Sequence, residues 1–398
     1  MRSVEEALAA ILASARLTDV ETCPLDRCAG RVPASFTITA AVDVPPFDNS
    51  SMDGFALRAA DAPGDLRLAG EVAAGAAPGT AVEPGTAVGI MTGAPMPAGA
   101  DAVVPLEEVV ERDGTVAVPA VEAGAYVRAA GHDTRAGEVV ELPAAPLTPA
   151  GLAVLASLGI GELAVRRPPR VAILSTGDEL RAPGEPLGPG QIHDANSFSL
   201  AAAVVEAGGV PMLLPRAPDD EAEIARILRG ALPEVDVLVA SGGVSVGRYD
   251  HVRAAIERLG RLDFWRIRVQ PGKPLAFGEI SGRPVIGLPG NPVSALVTFE
   301  LFVRPLLRAM LGLAGGGRAV IRALATQRIG KDAGRRAYLR VRVRSAPDGY
   351  LAEPTGGQGS AQLRPLAAAN GLLIVPEGEP AAEPGAACEV ILLGELGA

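Results

Sequence analysis

Residues 235–259 restrict the fold more than any other stretch. Val235-Asp236-Val237-Leu238-Val239-Ala240 is a short apolar run rich in β-branched residues, as in a strand buried on both faces of a sheet. Ser241-Gly242-Gly243-Val244-Ser245-Val246-Gly247 follows at once, then Arg248-Tyr249-Asp250. Beyond it, Val252, Ala255, Ile256 and Leu259 recur at helical spacing. The order is strand, glycine-rich loop, helix. Such a loop turns backbone N–H groups and hydroxyls toward the space above a sheet edge, which suits an anion.

The same alternation runs on both sides of this stretch. Val171–Leu174, Val210–Leu214, Phe264–Val269 and Pro284–Leu288 read as strands. Asn196 is placed to cap a helix to about 207, Asp219 another to about 231, and a last helix runs to about Met310. The pattern predicts a doubly wound parallel sheet covered on both faces. The loops Ser175–Leu180, Ser241–Gly247 and Pro289–Ser294 then leave the C-terminal ends of strands, where such sheets bind ligands.

With 398 residues the chain is too long for one ordinary core. Ser3 and Glu6 form a capping box for an amphipathic helix over 3–16, with Val4, Leu8, Ile11 and Leu12 on one face. Pro45-Pro46-Phe47-Asp48-Asn49-Ser50-Ser51-Met52-Asp53-Gly54 reads as a loop, either a plain surface turn or a site loop with two carboxylates. Residues 56–123 break into short apolar runs, as in a small β domain. Within it Pro95 and Pro97 place Thr92-Gly93 on a rigid loop. Gly131-His132-Asp133 is also loop-like. Thr148, Pro149 and Gly159 mark the cap, first turn and end of another helix, expected to pack on the N-terminal one. Arg166–Arg170 and Leu311–Arg318 read as linkers, and the remainder as short strands. Arg340, Arg342 and Arg344 would share one strand face, as a solvated edge or an anion surface. The domain expectation is 1–43 with 124–167 as a mixed helical and extended N-terminal domain, 44–123 as an inserted β domain, 168–315 as the α/β domain, and 316–398 as a C-terminal β domain.

Charge narrows the function. Acidic residues outnumber basic ones, 46 to 36, which argues against a general nucleic-acid or anionic-membrane surface. There are three cysteines without a second closely spaced pair, so no zinc framework is expected. Few cysteines, no apolar signal core and no run of spanning length predict a cytoplasmic protein.

Gly243-Val244-Ser245-Val246-Gly247 fits the G-x-S-x-G elbow of serine hydrolases, but that chemistry needs an acid and then a His downstream. The one downstream His is His251, six residues on. No G-x-x-x-x-G-K-[ST] and no G-x-G-x-x-G opening the sheet occur, which argues against a P-loop ATPase and a dinucleotide oxidoreductase. What remains is backbone cradles at Ser241–Gly247 and Pro289–Ser294, Lys273, and loop carboxylates at Asp53, Asp133, Glu179 and Asp250. Helix N-termini hold phosphate, and carboxylates beside phosphate suit Mg²⁺. The residues point to metal-assisted chemistry on a phosphate or phosphoanhydride.

Nine motifs in one order resemble the molybdopterin molybdenumtransferase family, MoeA, whose eukaryotic relatives include the gephyrin E domain. They are PPFDNSSMDG (45–54), TGAPMP (92–97), GHD (131–133), STGDEL (175–180), SGGVSVG with Asp250, PGKP (271–274), LPGNPVSA (288–295), GRRAYLR (334–340) and GQGSAQLRPLAAANGL (357–372). The resemblance implies a MogA-like α/β domain within an α/β multidomain chain. It implies adenylylated molybdopterin and molybdate as substrates, AMP and molybdenum cofactor as products, and Mg²⁺ assistance. It also implies a homodimer whose site is shared between chains, with a molybdopterin adenylyltransferase acting upstream.

By that resemblance Ser241, Gly242, Gly243 and Ser245 hold the pterin phosphate region, with Pro274 and Asn291 also at the substrate. Asp53, Thr92, Asp133, Glu179 and Asp250 serve transfer, with Asp53, Glu179 and Asp250 as metal ligands. Lys273, Ser294, Arg335 and Ser360 form the molybdate pocket, where cations and hydroxyls suit a tetrahedral dianion. Asp219 matches an acidic position of the family, and the N-cap role is preferred for it. Gln270 departs from the family's common KPGKP, keeping a hydrogen-bond donor and dropping a charge. Arg266 stands in place of a common Lys and Ala337 in place of a common Glu. Two other readings are a pterin-binding scaffold and adenylylation or pyrophosphatase chemistry on the same α/β domain; proteins of the latter kind lack the DNSSMDG and TGAP loops.

Overall fold

A computed structural model of the chain describes residues 1–75, 79–243 and 251–396. The chain divides into two compact units, Met1–Glu21 with Arg166–Ala398, and Thr22–Val165. Among the described residues no helix is long and apolar enough to cross a membrane.

The first unit is built on a six-stranded sheet in the order Val210–Leu213, Arg170–Ser175, Val237–Ser241, Arg283–Leu288, Pro274–Ile280, Arg261–Arg266. Four strands are parallel, as the strand–helix alternation predicts. The last two pairings are antiparallel, Pro274–Ile280 being the reversed strand, so the sheet is mixed rather than wholly parallel. The sequence reading missed the strand Pro274–Ile280. It joins Arg283–Leu288 through the two residues Ser281 and Gly282, both at positive φ, the geometry of a tight hairpin turn.

Alternation of side chains gives the sheet two cores. Val171, Ile173, Val237, Val239, Ile286 and Leu288 face one side. Ala172, Leu174, Leu238, Ala240 and Val285 face the other. Helices Asn196–Glu206 and Pro292–Thr298 cover the first core, and Glu221–Ala231 and His251–Leu259 the second.

Two sequence expectations for helices change. The N-terminal helix is Val4–Leu12, with the Ser3–Glu6 capping box formed. Its Val4, Ala7 and Ile11 pack into the α/β core with Phe264, Phe302 and Leu306. The helix Pro149–Ser157 belongs to the second unit instead, and its Leu155 lies in a separate cluster with Leu147 and Val165. The start of the helix Glu221–Ala231 also shifts by one residue. Asp220, not Asp219, accepts the Glu223 backbone N–H at 2.7 Å.

After Met310 the chain forms a closed ring of five strands: Val320–Ala325, Gly349–Pro354, Arg336–Ala346, Gly371–Val375 and Ala387–Leu392. Val269–Gln270 adds to Arg336–Ala346 in parallel, which ties the ring to the α/β sheet. Ring closure removes the solvated edge proposed for the arginine stripe. Arg342 and Arg344 are exposed, but Arg340 is buried.

The second unit contains a six-stranded sheet in the order Ala102–Pro105, Gly54–Leu57, Thr86–Ile90, Gly64–Val72, Thr115–Val118, Val110–Arg112. Gly54 is fixed by packing, because a Cβ there would stand 2.1 Å from the Val104 carbonyl oxygen. Beyond the sheet, Thr148 caps Pro149–Ser157 and Gly159 follows the helix at φ +76°.

Candidate active site

Three neighbouring parallel strands end at one place in the first unit. The loops after Ser175, Ser241 and Leu288 line a cavity of about 580 Å³. Glu179, Ser241, Gly242, Gly243, Pro274 and Asn291, all expected from sequence, line it. Thr176, Asp194, Asn196 and Asp219 join them. Ser245 and Asp250 lie outside the described residues.

The cradle is compact because its glycines are hemmed in. A Cβ on Gly242 would meet the Thr176 carbonyl oxygen and Oγ1, each at 2.9 Å, and Gly242 sits at φ +94°. One on Gly243 would press on Val252 at 2.9 Å. Backbone hydrogen bonds stitch the three strand ends together: Thr176 N–H donates to Ser241 O at 3.1 Å and Gly242 N–H to Leu288 O at 3.1 Å. The Glu179 carboxylate folds back over Gly177, where a Cβ would stand 2.4 Å from its Oε2.

Asn196 does not cap its helix; Asp194 accepts from the Ser197 N–H at 3.0 Å and from its hydroxyl at 2.6 Å. The Asn196 amide is used across the site instead. Its Nδ2 donates to Ser241 Oγ at 2.7 Å and to Gly290 O at 2.8 Å, bridging two cradle loops. Ser241 is therefore a buried strut, 2% exposed. Asn196 Oδ1 and Thr176 Oγ1 are buried without a partner among the described residues. Orphaned polar atoms in a cavity wall are where a polar ligand or water belongs. The sequence carried no sign of this beyond an Asn near a helix start.

The C-terminal ring reaches the same cavity, with Ala361 in its wall. Asn291 Nδ2 donates to Ser360 Oγ at 2.9 Å, and Val293 N–H to Ser360 O at 3.1 Å. Arg340 fixes the base of that loop. Its Nη2 donates to Gly357 O at 2.6 Å, and its backbone exchanges hydrogen bonds with the Gln358 amide. Ser294 is buried in the helix Pro292–Thr298, while Lys273 is exposed at the head of Pro274–Ile280. Arg335 is ion-paired to Asp332. Gln270 Oε1 in turn accepts the Asp332 N–H at 2.9 Å, so Gln270 acts here as an acceptor, a role a lysine cannot fill.

Asp53, Thr92 and Asp133 belong to the second unit. Thr92 donates to Asp53 Oδ1 twice, from its N–H at 2.6 Å and its hydroxyl at 2.8 Å. These bonds hold the Asp53 carboxyl below its ordinary pKa. Gly93 N–H donates to Ser50 O, and Met96 N–H to Asp48 O, knitting the 92–97 loop to the 45–54 loop. Asp133 N–H donates to Val44 O at 2.9 Å and Ala130 N–H to Asp48 Oδ1 at 2.7 Å. All three motifs of this unit thus form one loop cluster.

Among the described residues no three His, Cys, Asp or Glu side chains stand together as a metal-holding group. Of the expected set, Asp53 belongs to the second unit, Glu179 to the first, and Asp250 lies outside the described residues.

The comparisons with known proteins match this layout. Residues 2–159 match the MoeA N-terminal region (domain I and II), 172–309 a probable molybdopterin binding domain, and 322–393 the MoeA C-terminal region (domain IV). Molybdopterin molybdenumtransferase 2 of Mycobacterium tuberculosis is 38% identical, covering 95% of this chain and 96% of the relative. The chain belongs to the molybdopterin molybdenumtransferase family. A second member, from Haemophilus influenzae, is 37% identical and covers 81% of each chain. The crystal structure of the molybdopterin biosynthesis MoeA protein from Pyrococcus horikoshii OT3 superposes with a TM-score of 0.83 at 30% identity, over 98% of this chain and 100% of that one. The family places the cavity on the stretch matched as molybdopterin-binding, and the Ser360 loop on the C-terminal region.

Proposed function

We propose that the chain inserts molybdenum into molybdopterin, taking adenylylated molybdopterin and molybdate and releasing AMP. The observation that carries this is the convergence of Glu179, Gly242, Gly243, Pro274, Asn291 and the Ser360 loop on one cavity in a member of this family. The cradle at Ser241–Gly243 receives the phosphate end of the pterin. Asn196 Oδ1 and Thr176 Oγ1 offer an acceptor and a hydroxyl to its polar edge. Lys273, Ser294, Arg335 and Ser360 take the oxyanion, since ammonium, guanidinium and hydroxyl donors suit a tetrahedral dianion.

Asp53, Thr92 and Asp133 enter the reaction from a second copy of the chain. Exposed apolar side chains stand in and beside these loops, Phe47 at 44% and Met91 at 45%, which a partner would cover. Mixing Asp53→Asn with Lys273→Ala, each inactive alone, then restores activity through hybrid dimers; no restoration rejects the shared site. Mg²⁺ would be held by Asp53, Glu179 and Asp250 once both chains are present, offsetting phosphoanhydride charge. An adenylyl-transfer enzyme must supply the substrate.

The test is AMP release from adenylylated molybdopterin. Release is expected only with molybdate present. Equal release without any oxyanion favours a pyrophosphatase, and tight pterin binding without turnover favours a scaffold.

A further inference from the structure

We propose a second anion site at the edge of the α/β sheet opposite the active site, built for a phosphate group. It lies where the strands Arg170–Ser175, Val237–Ser241 and Arg283–Leu288 begin, whereas the active site lies where they end. Strands of five or six residues separate the two edges by about 15–20 Å. A cavity of about 150 Å³ opens there, with Arg16, Arg167 and Arg283 in its wall.

The negative charge in the wall is already engaged. Asp236 is 8% exposed. It accepts from Arg167 Nη1 at 2.8 Å and Nη2 at 3.0 Å, from the Arg170 N–H at 2.8 Å, and from Arg283 Nη1 at 3.4 Å. One guanidinium therefore neutralises it, and the pair is bidentate. Asp19 stands at the rim, 3.8 Å from Arg167, with a side chain 90% exposed. In the wall itself three guanidiniums face two carboxylates, with Glu21 acting on Arg167 from outside it.

The free hydrogen-bonding capacity is of one kind. Arg16 makes no hydrogen bond or ion pair among the described residues. Its Nη2 stands 3.3 Å from where a Cβ on Gly282 would lie, so the glycine of the hairpin turn leaves its fork room. Arg283 has one nitrogen 3.4 Å from Asp236, and its side chain is 42% exposed. The hydroxyls in the wall donate elsewhere, Ser14 to Ile11 O at 2.7 Å and Thr18 to Met310 O at 3.4 Å. Among the described side chains of the wall the uncommitted donors are guanidinium groups, so the pocket suits an acceptor with several oxygens. Arginine forks match a phosphate geometrically as well as by charge.

Equilibrium dialysis of the full-length protein against labelled inorganic phosphate, at fixed ionic strength, tests this. Saturable binding is expected that survives Lys273→Ala and weakens about tenfold in the double variant Arg16→Ala with Arg283→Gln, the scale of a lost charge-assisted hydrogen bond. AMP release should be unchanged in that double variant. Asp19→Asn removes rim repulsion and should tighten binding, most at low salt. Phenyl phosphate that displaces the label assigns a phosphate monoester as ligand; label that resists it assigns the free ion. No saturable binding, or binding indifferent to the two arginines and Asp19 whatever Lys273→Ala does, overturns the proposal.

Discussion

Replacing Asn196 by alanine removes the two hydrogen bonds that tie Ser241 Oγ and Gly290 O together, at 2.7 and 2.8 Å. Each such bond contributes about 0.5–1.5 kcal/mol net, so the bridge is worth about 1–3 kcal/mol. The Gly290 carbonyl loses its side-chain donor next to the cavity, and the loop before helix Pro292–Thr298 loses its tether. For a unit of this size, about 2 kcal/mol lowers Tm by about 4–8 °C. The loss in turnover should exceed what stability explains, because a cradle displaced by about 1 Å can lose about a hundredfold in rate. Thermal unfolding and AMP release would be measured on the same preparations. Asn196→Asp separates the two contacts: its carboxylate can accept from the Ser241 hydroxyl but repels the Gly290 carbonyl. It should fall between wild type and alanine in Tm and near alanine in turnover. An Asn196→Ala protein with unchanged Tm and full turnover would show that the amide does not hold the cradle.

Three further predictions follow from contacts elsewhere. Thr92→Val deletes the hydroxyl donor to Asp53, so the Asp53 pKa should rise back toward its ordinary value and its titration, followed by carbon-13 NMR, should move to higher pH. A fixed titration would mean the backbone N–H alone sets it. Asp236→Ala leaves the Arg167 guanidinium without its main partner and should cost about 2–4 kcal/mol by denaturant titration. The Asp236 pKa is held down by Arg167 and the Arg170 N–H against the upward pull of burial. Its contribution is therefore present above the unfolded carboxyl pKa and fades as pH falls through the lowered folded value, whereas a loss equal at all pH would contradict the pairing. Gln270→Met removes the acceptor for the Asp332 N–H and should raise the KM for molybdate about two- to tenfold with kcat retained. An unchanged KM would remove Gln270 from the positioning of Arg335.

The legible parts of the fold were those in which local pattern and tertiary packing agree. The buried run at 237–241, the Ser3–Glu6 box and the Thr148–Pro149–Gly159 signals each produced the element they predict. What the sequence hid depended on distant partners. The N-terminal helix has an apolar face that fits either neighbour, and only the tertiary fold sends Val4, Ala7 and Ile11 to Phe302 and Leu306. Asp219 and Asp220 are equivalent caps by residue type; the structure uses the second and leaves the first in the cavity wall. Arg340 looked like a surface residue because a period-two pattern cannot tell an edge strand from one in a closed ring. Asn196 was hidden for the same reason, since its partners lie 45 and 94 residues away.

The most direct test of the account is the metal content of the pterin product. The protein would be incubated with adenylylated molybdopterin and molybdate, the product isolated, and molybdenum and AMP counted against pterin. The account predicts one molybdenum bound for each AMP released, with both falling together in Lys273→Ala. AMP released in full with no molybdenum on the pterin would contradict it.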